Sequence, residues 1–248
     1  MGEQYANPPL IEAFCQFNFE QDTDWDATMP GLVFNQLKDE GFTKKKQANK
    51  IGFEIQVVGN QSNPQLIPVA DRVQFYNEEE TALFQVGPYF LAINVLKPYP
   101  SWITFKDLIS KGLQAYLNVT EAKTFKTVSL RYINDFEFEG INISLEKNFD
   151  FRPHFPQGFP ENYGPFLLGS QFNYDEGQNQ LQIQLTTVEN GPDKTKLRLD
   201  LVYATQNLEG LKSEEILNWL ELAHDRIEFG FEHSLKEDLK RTFGIKEG

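Results

Sequence analysis

The sequence predicts an α+β protein with one or more predominantly antiparallel sheets, built from two loosely similar strand-rich halves that are each closed by a helix. Three observations lead to this fold class. Short segments with alternating apolar and polar residues recur along the chain, and turn signals such as Gly87-Pro88 separate them. In each half, a longer segment with helical periodicity follows the strands. Several strands followed by a helix are typical of antiparallel α+β folds.

The first half begins with a predicted strand, IEAFCQFNFE, and an early helix expected from Asp26 to about Glu40, where Gly41 ends it. The tripeptide Lys44-Lys45-Lys46 is interpreted as a solvated turn, and GNQSNPQ as a loop. The other predicted strands of this half are IGFEIQVV, RVQFYN, ALFQVG and YFLAINVL. Ser101 is expected to cap the closing helix, which should extend to about Leu117.

The second half repeats this order loosely. It begins with the strand TVSLRYINDFEFE, continues through a segment 140–166 that is rich in Phe, Pro and Gly, and then gives the strands FLLGSQFNY, QLQIQLTTV and KLRLDLVYA. Ser213 is expected to cap the longest helix, which should run to about Phe243. The two halves correspond to domains 1–122 and 123–248, or together form one compact domain. The sequence leaves open whether they share a sheet.

The amino-acid composition indicates the cellular compartment and limits the classes of partner. The net charge of −13 disfavours binding to duplex nucleic acid, because the phosphate backbone is itself strongly negative. The single cysteine, Cys15, excludes an internal disulfide and fits a reducing, cytoplasmic location. The N-terminal residues carry no secretory signal pattern, and no apolar stretch approaches the length of a membrane span, so we expect no membrane association.

Motifs for catalysis, metals and cofactors are missing from the sequence. Only three histidines occur, and the row His224, Glu228 and Glu232 on the last predicted helix cannot close a metal site by itself. We interpret His224 as a hydrogen-bonded histidine at the edge of the core. Ser170, in LGSQF, lacks the second glycine of a nucleophile elbow, and Cys15 is expected to be buried. The sequence therefore predicts no metal and no cofactor, and it indicates no catalytic residue.

One predicted sheet face carries polar side chains that form a candidate ligand-binding surface. In SLRYINDFEFE, Arg131 falls on the opposite face from the apolar and aromatic positions, since strand side chains alternate. If the later strands pair with this one, the shared polar face holds the candidate ligand-binding residues Arg131, Gln182, Gln184, Arg198 and Asp200. Two arginines can bind an anionic group through bidentate hydrogen bonds. Alternatively, these arginines pair with neighbouring carboxylates on an ordinary solvated surface.

The last predicted helix carries a second apolar stripe. Its main stripe follows helical spacing, but Leu222, Phe229 and Phe243 project from roughly the opposite side. A helix with one buried face would be polar there. We therefore expect these three residues to be covered by protein, either by a loop from segment 140–166 or by a partner.

Four stretches together resemble a known family. They are NPPLIEAFCQFNF, GPYFLAINVLKPYPSW, SLRYIND and AHDRIEFGFEHSLKEDLKRTFG. Their order resembles a sporadically distributed, functionally uncharacterised prokaryotic protein family of about 250 residues. This resemblance implies a cytoplasmic prokaryotic protein. Its patchy distribution implies a connection with mobile gene clusters such as toxin–antitoxin or anti-phage loci.

Two functions follow as expectations. The first is a non-enzymatic binding or interaction protein, antitoxin-like or regulatory, that forms a homodimer or a complex with a protein partner. The alternative is an enzyme or sensor that acts on a small polar or phosphorylated ligand bound on the polar sheet face. The second apolar stripe favours the first, whereas a cleft with converging Arg131 and Arg198 would favour the second.

Overall fold

The computed structural model describes residues 5–21, 24–48, 51–58, 61–68, 72–122, 124–141, 143–159, 164–205 and 215–244. Its helices and its predominantly antiparallel sheet confirm the predicted α+β class. The predicted cap at Ser213 lies outside the described residues.

The described strands are β1 (Leu10–Phe19), β2 (Phe42–Ala48), β3 (Ile51–Val58), β4 (Gln61–Pro68), β5 (Arg72–Asn77), β6 (Ala82–Gly87), β7 (Phe90–Leu96), β8 (Phe125–Glu139), β9 (Leu167–Tyr174), β10 (Asn179–Asn190) and β11 (Lys194–Thr205). The described α-helices are α1 (Met29–Leu37), α2 (Trp102–Thr120), α3 (Leu145–Asn148), α4 (Ile216–Ser234) and α5 (Glu237–Arg241).

Both halves contribute to one sheet. Nine strands follow the order β2-β5-β6-β7-β1-β8-β11-β10-β9, and β3 pairs with β4 in a separate two-stranded sheet. By Cα proximity the chain divides into two compact units, one comprising Met1–Cys15, Leu96–Pro100 and Thr127–Gly248, and the other Gln16–Val95 and Ser101–Lys126. The division into domains 1–122 and 123–248 stays a prediction.

The alternation predicted for the SLRYINDFEFE strand is present in β8. Leu130, Tyr132 and Asn134 are buried, whereas Arg131 and Asp135 on the other face are only half-buried. Antiparallel pairing places each β8 residue opposite a β11 residue with the same facing, so the polar side chains of the two strands share one face.

Two of the predicted turns and loops are strands. Lys44-Lys45-Lys46 lies within β2, which pairs with β5, rather than in a turn. Lys44 and Lys46 form ion pairs with Glu80, so the charges that suggested a turn are held along a strand. The described part of GNQSNPQ belongs to β4, where Pro64 lies opposite Ile55. A proline is tolerated there because each strand of a two-stranded sheet has one edge that needs no hydrogen-bond donor.

The last predicted helix is interrupted. Helix α4 ends at Ser234, because Leu235 has extended backbone angles and forms a β-bridge with Phe149. The backbone N–H groups of Asp150 and Phe151 donate to the Ser234 carbonyl oxygen. A carbonyl at the end of a helix needs such a partner, and here the incoming segment supplies it in place of a further helical turn. The expectation of one helix to about Phe243 was therefore wrong.

In the unit that contains α4, this helix packs on β10 and β11 at very short range. A Cβ atom at Gly230 would lie 2.9 Å from Leu201 Cδ2 and 3.3 Å from Ile183 Cδ1. A glycine inside a helix costs about 1 kcal/mol relative to alanine, so its place here reflects the close approach of helix and sheet. Along the part of the chain that the structure describes, none of the helices is both long and apolar enough to cross a membrane.

The other unit builds its core from aromatic side chains. Phe84 and Tyr116 are almost completely buried, and Phe19 stacks on Tyr116 with ring centroids 4.7 Å apart. Helix α2 begins at the predicted cap, where Ser101 Oγ accepts a hydrogen bond from the Thr104 backbone N–H at 3.1 Å. The high phenylalanine content of the sequence thus serves internal packing in this unit.

Candidate functional site

The predicted polar face exists, and the structure brings its five candidate residues together. Gln184 lies opposite Asp200 between β10 and β11, and Gln182 lies opposite Val202, which is itself opposite Arg131 of β8. Gln182 is exposed and Gln184 is half-buried. The five residues therefore share one sheet face, and their role in ligand binding stays a prediction.

The two arginines of this face are engaged by carboxylates of the same chain. Arg131 donates to both carboxylate oxygens of Asp200, one of them at 2.7 Å. Arg198 donates to Asp135 from Nε at 2.7 Å and from Nη2 at 2.9 Å. The Asp200 and Asp135 side chains are only 11% and 9% exposed, so these bidentate pairs are shielded from water.

This ion-pair arrangement favours the simpler interpretation of the polar face. The hydrogen bond and negative charge of Asp135 raise the pKa of Arg198. An anionic ligand would have to displace a well-aligned carboxylate from each guanidinium, which costs the strongest class of hydrogen bond in a protein. Both guanidinium groups of this face are therefore already bound by carboxylates of the same chain, which disfavours binding of an anionic ligand.

A second polar cluster lies on the buried side of β8. The Tyr132 hydroxyl is 3.0 Å from the Tyr99 hydroxyl and 3.0 Å from His224 Nδ1. Burial raises the pKa of both tyrosines and lowers the pKa of His224 to about 4. At neutral pH all three groups are uncharged, and none is poised to exchange a proton. The cluster matches the hydrogen-bonded histidine that we predicted at this position.

The third feature is an open groove beside α4, which we call the aromatic groove. Its volume is about 260 Å³. The groove is lined by apolar and aromatic side chains and a few polar groups, namely Asp150, Phe151, Phe172, Tyr174, Leu181, Ile183, Phe229, Gly230, His233 and Ser234.

Phe229 is the most accessible apolar wall of the aromatic groove. Its side chain is 54% exposed, and its ring stacks on His233 with centroids 3.9 Å apart. His233 Nδ1 donates to the Phe229 carbonyl oxygen at 2.9 Å, which fixes the ring against the helix. Phe172 on β9 is 43% exposed. Two phenylalanines thus present accessible rings to one groove.

The three residues predicted on the second apolar stripe have different environments. Phe229 is exposed in the groove, and Leu222 is half-buried. Phe243 is buried, with its ring 5.3 Å from that of Tyr5 and 6.0 Å from that of Phe136. Because the helix breaks at Leu235, Phe243 leaves the α4 axis and packs inward. Little of the Phe243 side chain is accessible to a partner, so the structure gives no support to its predicted partner-binding role, which stays a prediction.

The described residues of segment 140–166 contribute to the groove and leave about half of the Phe229 side chain exposed. Asp150 and Phe151 line the groove, and their backbone N–H groups donate to the Ser234 carbonyl oxygen. One expectation was that a loop from segment 140–166 covers the second apolar stripe. For Phe229 this cover is partial, since about half of the side chain faces water.

The groove contains an Asp, a His and a Ser, but they are not arranged for nucleophilic catalysis. Ser234 Oγ is buried and donates to the Gly230 carbonyl oxygen at 2.6 Å, within its own helix. His233 Nδ1 is bound to a backbone carbonyl, and Asp150 pairs with Lys236. A catalytic triad needs a hydrogen bond from the base to the nucleophile and another from the acid to the base, whereas these three side chains bind other groups.

Across the described residues, no group of three or more His, Cys, Asp or Glu side chains is placed to hold a metal ion. Of the row His224, Glu228 and Glu232, the last accepts from the Tyr5 hydroxyl at 2.9 Å and pairs with Lys240 at 3.2 Å.

Sequence reasoning missed most of the groove. His233 follows Phe229 by four residues, which is a helical-neighbour spacing, and this signal could have been used. Phe172 and Phe151 carried no comparable signal, because their approach to α4 depends on strand pairing and on the helix break. Comparison of the chain with models of known protein families and with curated protein sequences found no match.

Proposed function

We propose that the protein is a non-enzymatic binding protein, and that the aromatic groove receives apolar side chains of a protein partner. The observation that carries this proposal is the accessible ring of Phe229 in a groove with a second exposed ring, Phe172. Fully burying such a side chain is worth about 1.5–3 kcal/mol, and exposed aromatic rings clustered in one concavity mark interaction sites. Binding would recover part of that free energy.

The cellular role is a further part of the proposal. The resemblance to a sporadically distributed prokaryotic family supports an antitoxin-like or regulatory component of a mobile or anti-phage gene cluster, acting in the cytoplasm. A binding groove agrees with such a role because regulators of this kind act by binding another protein. A homodimer is the competing assembly, and it is distinguished by the experiment below.

Substitution of Phe229 tests the proposal. Phe229→Asp is expected to weaken binding of the identified partner at least about tenfold, since it replaces an apolar contact by a charge. Ile103→Asp is the matched control, because Ile103 is 79% exposed on α2 and does not line the groove. Partners are identified by mass spectrometry of co-purified proteins, purified separately, and titrated against wild type and both variants by calorimetry.

The outcomes separate the alternatives. Loss of partner binding in Phe229→Asp with unchanged melting temperature supports the proposal. A dimer in wild type that dissociates only in Phe229→Asp, seen by sedimentation, assigns the groove to self-association. Equal affinity of a confirmed partner for wild type and Phe229→Asp would refute the groove as the binding site.

A further inference from the structure

Among the described strands, β9 is the last of the nine-stranded sheet, and no other described strand pairs with its outer edge. The Thr187 N–H donates to the Phe166 carbonyl oxygen at 3.0 Å, which sets the alternation of the β9–β10 ladder. Even-numbered β9 residues therefore bond to β10, and odd-numbered ones direct their N–H and C=O groups outward. These outward residues are Leu167, Gly169, Gln171 and Asn173, and all of them are exposed.

The β9 edge lacks the features that usually prevent another strand from adding to a sheet. Its sequence, LLGSQFNY, contains no charged residue and no proline, and its pairing with β10 is continuous over the strand. The strand at the other end of the sheet order, β2, instead carries Lys44, Lys45 and Lys46. Lysines on an edge strand oppose strand addition, so of these two edges only the β2 edge is protected.

The open edge and the aromatic groove lie side by side. Phe172 and Tyr174 point to the β9 face that lines the groove, whereas their neighbours Gln171 and Asn173 offer backbone groups at the edge. A strand added to β9 would place alternate side chains on the same face as Phe172, beside the ring of Phe229. Backbone pairing and side-chain recognition can therefore act on one extended segment.

The negative net charge of the protein favours a basic partner at the β9 edge. Two copies of a chain with a net charge of −13 repel each other, and β9 contributes no Lys or Arg to offset this repulsion. A basic segment is instead attracted. We propose that β9 is a strand-addition site for an extended segment of a basic partner protein, with apolar residues at alternate positions that enter the aromatic groove and Lys or Arg between them. This inference rests on the proposed function and specifies its mode of recognition.

Proline substitution at an outward-facing position tests the backbone part of the proposal. Gln171→Pro removes an N–H group that β10 does not use, so β9 should remain folded, as prolines are tolerated on open strand edges. Gln171→Ala is the matched control because it keeps the N–H. The probe is a synthetic octapeptide that alternates Lys with Val and Phe, and its binding is measured by fluorescence anisotropy.

We expect the octapeptide to bind wild type and Gln171→Ala with equal affinity, and to bind Gln171→Pro about tenfold more weakly. The loss corresponds to roughly one backbone hydrogen bond together with steric obstruction by the proline ring. Binding should also weaken as salt is raised. An octapeptide with Glu in place of Lys should not bind.

Different failures have different meanings. Equal binding by Gln171→Pro and wild type, with binding lost in Phe229→Asp, would overturn strand addition and leave the groove as a side-chain site. Binding unaffected by either substitution would overturn both proposals. No binding of the Lys octapeptide to wild type, or wild-type dimers that Gln171→Pro dissociates, would overturn the assignment to a basic partner.

Discussion

Arg131 and Arg198 each form an ion pair with a carboxylate of the same chain. Each guanidinium lies beside a carboxylate on the neighbouring strand and is bound by two parallel hydrogen bonds. The carboxylates of Asp200 and Asp135 are largely shielded from water. Removing one partner of such a pair leaves a poorly solvated charge behind, so the four residues constrain the register of β8 against β11.

His224 gives a pH dependence whose sign follows from its environment. Burial lowers its pKa from 6.5 to about 4 in the folded protein, against smaller opposing effects of Asp225 and Glu221. Between these values the unfolded chain binds a proton that the folded protein does not. The stabilisation is complete above pH 6.5 and decreases as the pH falls towards 4, by about 2–3 kcal/mol from this residue.

Urea unfolding between pH 7 and pH 4 measures this effect. Wild type should lose more stability over this interval than His224→Gln, which lacks the titrating ring but keeps a hydrogen-bonding side chain near Tyr132. The carboxylates of the protein contribute to both curves and cancel in the difference. Parallel curves for the two proteins would show that His224 is not held neutral by burial.

At the scale of secondary-structure elements, two helical glycines, Gly31 in the first turn of α1 and Gly112 in the middle of α2, should respond oppositely to alanine. In α2, a Cβ at Gly112 would lie 2.4 Å from Phe84 Cε1 and 3.1 Å from Ile93 Cγ1, and Phe84 is fully buried. In α1, a Cβ at Gly31 would meet no atom within 4 Å. Alanine has a higher helix propensity than glycine, so an opposite response at Gly112 would reflect its packing cost.

We expect Gly112→Ala to lower the free energy of unfolding by about 1–3 kcal/mol, because overpacking outweighs the propensity gain. Gly31→Ala should instead raise it by about 0.5–1 kcal/mol. Urea denaturation of both variants provides the measurement. A Gly112→Ala protein at least as stable as wild type would mean that α2 and β6 are not in such close contact.

The whole molecule is dominated by its negative charge. At a net charge of −13, long-range repulsion from a phosphate backbone opposes binding unless a local basic surface overcomes it. The lysines of β2 are the most concentrated basic group in the sequence, and Lys44 and Lys46 are already paired with Glu80. The absence of duplex nucleic acid among the partners stays a prediction.

An electrophoretic shift assay with a duplex of about 25 base pairs tests this prediction. At physiological salt we expect no complex at protein concentrations up to about 10 µM, within the range where basic proteins show non-specific binding. The triple variant Lys44→Glu, Lys45→Glu, Lys46→Glu is the control for a local basic patch. A salt-sensitive shift of wild type that this variant abolishes would contradict the expectation.

Local pattern determined most of the elements. Strands such as β8 and β11 alternate strongly enough that their facing, and the shared polar surface of Arg131, Arg198 and Asp200, followed from a period of two residues. Ser101 and Gly41 marked helix ends because their local chemistry is independent of distant contacts. The α+β fold class with a predominantly antiparallel sheet was predictable from the sequence in the same way.

The tertiary structure alone decided the remaining features, because they depend on which distant segments meet. The break of the last helix at Leu235 requires backbone bonds from residues 149–151, and it moves Phe243 from a surface stripe into the core. The aromatic groove exists only because that segment, β9 and α4 converge on Phe229. Periodicity assigns a side chain to a face of its own element, whereas burial or exposure of that face depends on contacts between residues far apart in the chain.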